Sequence, residues 1–284
     1  MGRLVTSKLL AVEHAVTCFS RDEQKQRTLP QHRNLDTVIG DIRDYESIRD
    51  VMDNQYDVVI NFAALKCVDS VEANPYQSVQ TNILGVKNLI RASQRTSLPK
   101  IIFTSTDKAC YPINVYGQCK AVAEKLVMEY AGPSIVYRYG NILGSRGSVL
   151  SAFVKTIAQH GIAKITDMNM TRFWVDANEI AISIARACDE VVDGNNLRVK
   201  VSKTMRVVDV ARAVADELGV GGIEYTEIGM RPGEKIHETI VTKYDEIASE
   251  LNDVDSHGHE RYEHDEFREI IRPIVLKIKE DLRL

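Results

Sequence analysis

Short apolar runs alternate with longer amphipathic stretches along the first half of the chain. The short runs are rich in Val and Ile and are mostly bounded by charged or turn residues, which is typical of buried strands. In the longer stretches apolar residues recur every three or four positions, as in helices. Strands are predicted at residues 14–19, 35–39, 57–62, 100–105 and 134–139, and helices at residues 4–12, 45–52, 79–94 and 116–130. This alternation predicts βαβ units and therefore a doubly wound, Rossmann-like α/β fold with a parallel sheet.

The regular alternation of strand and helix patterns ends after Gly140. Residues 176–188 and 207–218 still have helical patterns, but the strands between them are short and irregular. We therefore expect a dinucleotide-binding domain at residues 1–140. Residues 141–284 should form mainly a smaller substrate-binding lobe, with some segments returning to the first domain. The polar stretch 257–265 is predicted to be a loop before a last helix.

Composition and charge exclude several classes of protein. The 284 residues are 44% hydrophobic and 27% charged, as in an ordinary folded domain. Lys and Arg number 36 against 40 Asp and Glu, which argues against a nucleic-acid partner. The five cysteines are scattered without a C-x-x-C pair, so we expect a reducing, cytoplasmic environment. No apolar run approaches the roughly 18–20 residues that cross a bilayer, and no signal peptide is evident, so no membrane partner is expected.

The start of the chain lacks the glycine-rich turn that normally follows the first strand of a nucleotide-binding sheet. Gly2 would be the last glycine of such a turn, with the first strand and the earlier glycines absent. The alternative is a chain that opens with a helix, in which Gly2 has no special role. On the first interpretation we expect the chain to bind NADP weakly and to be inactive or poorly folded.

Ser20, Arg21 and Lys25 follow the strand at 14–19. NAD enzymes carry an acidic residue at about this position to bind the ribose hydroxyls. A hydroxyl and two cations suit a 2′-phosphate instead, so NADP is the expected cofactor and NAD the weaker candidate. A solvated, charged helix start is the alternative.

Two other groups of glycines do not match a dinucleotide fingerprint. The glycines at 219, 221 and 222 follow a helical pattern and are interpreted as a helix cap and turn. The glycines at 140, 144 and 147 follow a strand, and we expect them to let the backbone approach another ligand.

The chemical centre is expected where the strand at 100–105 ends. Thr106, Asp107 and Lys108 come directly after it, and Tyr116 and Lys120 are four residues apart on one face of the next predicted helix. A lysine ammonium beside a phenol lowers the pKa of the phenol, so Tyr116 is a candidate base and Lys120 can also hold ribose hydroxyls. The Y-x-x-x-K pattern alone is common by chance. It is far more specific just after a T-D-K segment at the carboxyl edge of a parallel sheet.

Further sequence blocks occur in a fixed order between Gly2 and about Asp245. They are F-S-R-D-E at 19–23, G-D-I-R-D at 40–44, A-A-L-K at 63–66, T-N-I at 81–83, S-T-D-K at 105–108, P-I-N-V-Y at 112–116, R-Y-G-N-I-L-G-S-R-G at 138–147, I-T-D-M-N-M-T-R-F-W at 165–174 and R-P-G-E-K at 231–235. In these blocks the sequence resembles the extended short-chain dehydrogenases/reductases, specifically the inverting UDP-N-acetylglucosamine 4,6-dehydratases of polysaccharide biosynthesis. The missing glycine-rich opening is its one major departure.

This resemblance implies a hydro-lyase that converts UDP-N-acetylglucosamine to a UDP-4-keto-6-deoxy-N-acetylhexosamine with inversion at C5. Such enzymes oxidise C4 by passing hydride to NADP⁺, remove the C5 proton, expel the C6 hydroxyl as water and return the hydride to C6. Tyr116 would take the C4 hydroxyl proton, with support from Lys120. Thr106 would hydrogen-bond the C4 oxygen. Asp107 would be the acid at C6 and Lys108 the base at C5, where dehydratases that retain the C5 configuration generally have Glu.

The resemblance also implies binding residues. Asp41 and Ile42 would hold the adenine, and Ala63, Ala64 and Lys66 would line the dinucleotide. The residues implied for substrate binding are Lys66, Asn141, Arg172, Arg231 and Glu234, with the arginines supplying cations for a diphosphate.

Two alternatives stay open. A UDP-N-acetylhexosamine 4-epimerase would share the cofactor and the Tyr–Lys pair but would not need Asp107 and Lys108. An inactive binding protein with a nucleotide-sugar fold is the other alternative, which the missing glycine turn favours.

Phe173 and Trp174 are expected in the core. His257, His259 and His264 have a spacing that suits no standard metal site, so no metal is expected. The resemblance leads us to expect a homo-oligomer.

Overall fold

The computed structural model describes residues 1–145, 147–245 and 253–283; Arg146, inside one of the sequence blocks, lies outside them. In its first half the elements are α1 (Gly2–Ala11), β1 (Val16–Ser20), α2 (Glu23–Arg27), β2 (Leu35–Ile39), α3 (Tyr45–Met52), β3 (Val58–Asn61), α4 (Val68–Ala73), α5 (Pro75–Ser78), a π-helical turn (Val79–Leu84), α6 (Gly85–Ser93), β4 (Lys100–Thr104), a 3₁₀ turn (Asp107–Ala109), α7 (Val115–Met128) and β5 (Ser134–Tyr139). They continue with β6 (Asn141–Ile142), α8 (Val149–His160), β7 (Ile162–Ile165), β8 (Thr171–Val175), α9 (Ala177–Asp189), β9 (Asn195–Lys200), β10 (Thr204–Arg206), α10 (Val207–Leu218), β11 (Glu224–Glu227), β12 (Thr239–Val241), β13 (Val254–Asp255) and α11 (His264–Asp281).

The chain folds into two units. The first contains Met1–Ser105, Val115–Arg138 and Asn178–Arg198. The second contains Thr106–Asn114, Tyr139–Ala177 and the chain from Val199 onwards. The T-D-K segment therefore belongs to the second unit, whereas the helix that carries Tyr116 and Lys120 belongs to the first.

The first unit contains the predicted parallel strands. β1 pairs with β2, β3 pairs with β4 and β4 pairs with β5, all in parallel, and β9 lies beside β5. Every residue of β4 is buried, as expected for a parallel strand with helices on both faces. These pairings confirm the predicted α/β class. In the part of the chain that is described, β1 and β3 each stand at the end of a sheet.

The helix predicted at residues 79–94 is divided in two. Val79–Leu84 forms a π-helical turn, and α6 begins at Gly85. A Cβ at Gly85 would lie 2.9 Å from Cγ2 of Ile42, so the glycine lets this helix pack closely against Ile42. Single π turns are frequent at functional sites, and this one carries Thr81 and Asn82 of the T-N-I block.

The second unit contains short ladders, as predicted. β8 lies between β6 and β10, β7 pairs with β11, and β12 pairs with β13. Its core lies among α8, α10 and α11, where Trp174 and Phe267 pack edge to face. Phe173 and Trp174 are almost fully buried, which confirms their predicted place in the core. Of the described helices, not one is long and apolar enough to cross a bilayer.

Two of the glycines predicted to approach a ligand, Gly140 and Gly144, pack closely against the protein itself. A Cβ at Gly140 would lie 2.5 Å from Cβ and 2.8 Å from the carbonyl oxygen of Phe173, so Gly140 makes room for β8. Gly144 has a positive φ, and a Cβ there would lie 2.7 Å from Cγ2 of Ile274. Packing against the protein therefore explains the absence of a side chain at both positions, and their approach to a ligand stays a prediction. Gly219 adopts the left-handed conformation at the end of α10, which confirms the predicted helix cap.

Candidate active site

The T-D-K segment forms a short buried turn directly after β4. Thr106 caps the 3₁₀ turn by accepting a hydrogen bond from the backbone N–H of Lys108 at 3.3 Å. The Thr106 hydroxyl donates to Oδ1 of Asp107 at 2.9 Å. The Asp107 side chain is fully buried, and its Oδ1 lies 3.0 Å from Nζ of Lys108. The residues predicted as acid and base therefore form a hydrogen-bonded ion pair.

Lys108 has a second carboxylate partner that the sequence analysis did not identify. Its Nζ lies 3.3 Å from Oε1 of Glu238 and also donates to Oδ1 of Asn141 at 3.2 Å. Burial lowers the pKa of Lys108, but the two carboxylates outweigh burial and raise it above its ordinary value. Burial raises the pKa of Asp107. Although burial also acts to raise the pKa of Glu238, the neighbouring cations, Lys108 first, lower it.

Hydrogen bonds hold the R-P-G-E-K segment against the residues that follow the T-D-K turn. Lys235 Nζ donates to the carbonyl oxygen of Cys110 at 2.7 Å, and Asn114 Nδ2 donates to the carbonyl oxygen of Gly233 at 2.7 Å. The Cys110 thiol donates to the carbonyl oxygen of Ile240 at 3.3 Å. These bonds bring Glu238, which comes soon after R-P-G-E-K, beside Lys108.

The predicted substrate-binding cations differ in exposure. Arg172 on β8 is buried, and its guanidinium donates to the carbonyl oxygens of Ile236 at 3.0 Å and Lys235 at 2.8 Å. Arg231 is exposed, and its backbone N–H donates to Oε2 of Glu234 at 3.2 Å. Arg172 thus holds the segment that carries Glu238, whereas the Arg231 side chain reaches the surface.

Tyr116 and Lys120 lie in the first turns of α7, in the first unit, as predicted. Lys120 is only 3% exposed, and its Nζ donates to the carbonyl oxygen of Thr104 at 2.5 Å and lies 3.8 Å above the centre of the Phe103 ring. Burial lowers the pKa of Lys120 to about 7, against the opposing effect of Glu124. Tyr116 is half-buried.

Beside this pair lies a buried polar network that the sequence analysis missed. Oε1 of Glu124 accepts from the Ser105 hydroxyl at 2.5 Å, and Oε2 accepts from the Arg138 guanidinium at 2.7 Å. Glu124 is one turn after Lys120, so the helical i, i+4 spacing was a usable signal. The network joins α7 to the ends of β4 and β5.

The ends of β1 and β2 bring the predicted adenosine-binding residues together. Arg43 binds the Asp41 carboxylate, with its Nη2 2.6 Å from Oδ2, and Nη1 of Arg21 lies 3.6 Å from the same oxygen. The hydrogen bonds from Arg43 are the main cause that lowers the pKa of Asp41 to about 2. Ser20 Oγ accepts from the Asp22 backbone N–H at 3.2 Å. Lys25 pairs with Asp22 at the start of α2, the contact expected of a charged helix start.

The loop after β3 is held by two asparagines. Asn61 Oδ1 accepts from the Ala63 N–H, and Asn82 binds both the N–H and the carbonyl oxygen of Leu65, each bond being 2.8 Å long. Within the described residues, the buried Asn61 Nδ2 and Thr81 Oγ1 have no hydrogen-bond partner. Ala63 and Lys66 in this loop are exposed, and Ala64 is half-buried. The T-N-I block alone does not indicate that Asn82 holds this loop.

Gly2 is the first residue of α1. A Cβ at this position would make an ordinary 3.7 Å contact with Phe62.

Across the described ranges, no group of three or more His, Cys, Asp or Glu side chains is placed to hold a metal ion.

Parallel α/β strands, a Tyr–Lys pair on the helix after β4 and a polar turn at the end of that strand define a Rossmann-type enzyme of the short-chain dehydrogenase/reductase class. Residues 1–257 match the model of a family described as "Polysaccharide biosynthesis protein". The chain belongs to this family of extended short-chain dehydrogenases/reductases.

Its curated relatives include two kinds of nucleotide-sugar enzyme. The chain is 36% identical over 257 residues to an inverting UDP-N-acetylglucosamine 4,6-dehydratase of Campylobacter jejuni, covering 86% of this chain and 75% of the relative. It is also 36% identical over 256 residues to a UDP-glucose 4-epimerase of Rickettsia typhi, covering 86% and 74%.

Solved structures resemble the fold over nearly the whole chain. Pen from Bacillus thuringiensis has a TM-score of 0.86 and 27% identity, over 96% of this chain and 95% of that one. The dTDP-glucose 4,6-dehydratase DesIV from Streptomyces venezuelae, solved with NAD bound, has a TM-score of 0.81 at 17% identity, over 99% and 94%. The second likeness concerns the fold alone.

Proposed function

We propose that this protein dehydrates UDP-N-acetylglucosamine to a UDP-4-keto-6-deoxy-N-acetylhexosamine with inversion at C5. The observation that carries the proposal is the buried ion pair of Asp107 and Lys108, 3.0 Å apart, at the end of β4. A dehydration needs an acid for the leaving hydroxyl and a base for the adjacent carbon-bound proton. The similarity to the inverting dehydratase of Campylobacter jejuni supports this assignment.

The first unit has residues that fit NADP. Asn61 Nδ2 and Thr81 Oγ1 are buried without a hydrogen-bond partner among the described residues, and they offer a donor and an acceptor near the 63–66 loop. Arg21 has a side chain 55% exposed and suits a 2′-phosphate. Ser20, Lys25, Asp41 and Ile42 would complete the adenosine end, and Ala63, Ala64, Lys66 and Lys120 would bind the rest, with Gly2 near the pyrophosphate. When bound, NADP supplies a reversible hydride acceptor for the sugar carbons.

The proton transfers are assigned to the chain's own side chains. Tyr116 removes the C4 hydroxyl proton, and the buried Lys120 supports the phenolate. Lys108 removes the proton from C5, while Asp107 gives its proton to the C6 hydroxyl, which leaves as water. Burial raises the pKa of Asp107, which favours the protonated form that an acid needs. Thr106 orients Asp107 through its 2.9 Å hydrogen bond and would also contact the C4 oxygen.

The second unit is proposed to bind the UDP-sugar. Exposed Arg231 is the cation best placed to meet a diphosphate, with Glu234 holding its backbone. Asn141 uses its carbonyl oxygen on Lys108, which leaves its amide N–H groups for substrate. Lys66 of the first unit and Arg172 complete the proposed set, with Arg172 acting through the segment it holds.

A UDP-N-acetylhexosamine 4-epimerase is the second candidate. It is favoured by the equal identity, 36%, to the epimerase of Rickettsia typhi. An epimerase would use Tyr116 and Lys120 but would leave Asp107 and Lys108 without a chemical role.

The product distinguishes the two activities. The protein is incubated with UDP-N-acetylglucosamine and NADP, and proton NMR follows the sugar C6, with Tyr116→Phe as the inactive control. We expect a C6 methyl signal and L-arabino stereochemistry in the wild type alone. A product that keeps its C6 hydroxymethyl group would establish the epimerase, and no product with either NADP or NAD would contradict both candidates.

A further inference from the structure

Glu238 is held rigidly immediately before β12. Its backbone N–H donates to Oγ of Ser256 at 2.8 Å, and its carbonyl oxygen accepts from the Ser256 N–H at 2.8 Å. Ser256 is completely buried and also donates to the carbonyl oxygen of Thr171 at 3.2 Å. The Glu238 side chain is 3% exposed. Because its backbone is held by Ser256 and its side chain is buried, the Glu238 carboxylate has little room to move away from its partners.

Those partners are three cations. Oε1 of Glu238 lies 3.3 Å from Lys108 Nζ and 4.0 Å from Arg172 Nε, and Oε2 lies 3.5 Å from Lys235 Nζ. A buried carboxylate among three cations stays ionised. Asp107, by contrast, has Lys108 as its cationic partner and the Thr106 hydroxyl as its other donor. The two carboxylates on Lys108 therefore have different electrostatic surroundings.

This difference matters during the proposed reaction. When Lys108 takes the C5 proton it becomes an ammonium in a buried site, which is costly without an adjacent anion. Asp107 must still be a neutral acid at that point, because its proton goes to the C6 hydroxyl. Glu238 is then the carboxylate in contact with the new ammonium.

We propose that Glu238 is a positioning residue that fixes Lys108 Nζ beside Asp107 and strengthens Lys108 as the base at C5. The inference rests on the proposed function and adds to it a residue outside the T-D-K turn. Glu238 itself transfers no proton, because the cations around it keep it ionised.

The sign of the expected effect follows from the charges that face Lys108. These are the carboxylates of Asp107 and Glu238 and the guanidinium of Arg172, with the neutral amide of Asn141. Lys235 faces Glu238 rather than Lys108, and the neighbouring His237 ring is bound to the Thr171 hydroxyl at 2.8 Å. Because Glu238 raises the pKa of Lys108, an amide in its place should lower that pKa and move the alkaline rise of C5 exchange to lower pH.

The test compares Glu238→Gln with Glu227→Gln, the same change at an exposed carboxylate at the end of β11. Deuterium exchange at C5 is measured against pH in the complete reaction. Nζ of Lys108 is titrated separately by ¹⁵N NMR without ligands, its signal being assigned by its loss in Lys108→Arg. For Glu238→Gln we expect the pH dependence of C5 exchange and the titration of Lys108 Nζ both to shift to lower pH. The plateau rate of C5 exchange should be roughly 10- to 100-fold lower, because Lys108 is less well positioned and is a weaker base. Glu227→Gln should match the wild type.

If a folded Glu238→Gln protein shows the wild-type pH dependence of C5 exchange and the wild-type titration of Lys108 Nζ, the proposed role of Glu238 is overturned. If Glu238→Gln does not fold, Glu238→Asp takes its place, because it keeps the negative charge but moves the carboxylate away from Lys108. This variant should have a lower plateau rate of C5 exchange, while the titration of Lys108 Nζ stays nearer that of the wild type. A wild-type plateau in Glu238→Asp would also overturn the proposal. If the NMR titration moves as expected but the wild type gives no C5 exchange, the proposed function fails and the pairing role stands.

Discussion

Nζ of Lys108 lies 3.0 Å from Oδ1 of Asp107, within a turn where the aspartate is fully buried. One proton moved across this hydrogen bond would convert the ion pair into a neutral amine and a neutral carboxylic acid. The two forms contain the same number of protons, so the pair can become base and acid without exchange with solvent. After Lys108 takes the C5 proton and Asp107 gives up its own, the ion pair is restored.

This relationship makes Lys108→Arg an informative variant. A guanidinium would keep the positive charge beside Asp107, but it cannot lose its proton in a protein. We expect the variant to fold and C5 deuterium exchange to fall by about 10²- to 10⁴-fold, the usual contribution of a general base. Mass spectrometry of the sugar nucleotide in deuterated water measures the exchange.

The control is Lys203→Arg, the same change at a lysine paired with Glu260 and Glu266 nearer the surface. It should exchange C5 at the wild-type rate. If Lys108→Arg also exchanged C5 normally, the base would have to be another residue.

The parts of the site that could be predicted from sequence are local. Tyr116 and Lys120 are one helical turn apart, and the T-D-K turn follows a recognisable apolar strand, so spacing alone placed each of them. Glu238 could not be found in this way, because its contact with Lys108 depends on how a distant segment is fastened. The same holds for Gly140, whose close neighbour is Phe173 on another strand. Periodicity also missed the π turn, since a single π turn inside a helix interrupts the apolar pattern of residues 79–94 too briefly to be recognised.

Lys120 should make the stability of the ligand-free protein depend on pH. Its pKa is about 7 in the folded state, because of burial, against an ordinary value of 10.5. Between these values the unfolded chain holds the extra proton, so the free energy of unfolding should rise with pH, by up to about 1.4 kcal/mol per pH unit. Below pH 7 the folded state carries the full cost of the buried ammonium.

Urea denaturation of Lys120→Met against the wild type measures this dependence. The variant should be the more stable protein at pH 6–7, and its advantage should shrink as the pH rises. Lys125→Met, at an exposed position of the same helix, should show a constant difference from the wild type. A constant difference for Lys120→Met as well would mean that Lys120 is not neutralised on folding.

Arg21 should decide the preference between NADP and NAD. Its guanidinium is 55% exposed and 3.6 Å from Asp41, which leaves it able to meet a 2′-phosphate. Arg21→Ala should weaken NADP binding by roughly tenfold, or about 1.4 kcal/mol, and leave NAD binding unchanged. Calorimetry with both dinucleotides tests this, with Arg27→Ala, at an exposed arginine paired with Glu23, as the control. Equal losses for both dinucleotides would show that Arg21 does not recognise the 2′-phosphate.

Gly140→Ala tests the steric interpretation of the glycine that precedes Asn141. The new Cβ would lie 2.5 Å from Cβ and 2.8 Å from the carbonyl oxygen of Phe173, both too close for a side chain without backbone movement. We expect a loss of about 1–3 kcal/mol in the free energy of unfolding, the usual cost of overpacking. Gly221→Ala, where a Cβ would meet nothing within 4 Å, should change stability by no more than about 0.5 kcal/mol.

Gly140→Ala should also slow C5 exchange. β6 begins at Asn141, whose Oδ1 holds Lys108 at 3.2 Å, so displacing this strand would disturb Lys108. A fully stable Gly140→Ala protein would show that β8 can yield at this contact, and the glycine would then need another explanation.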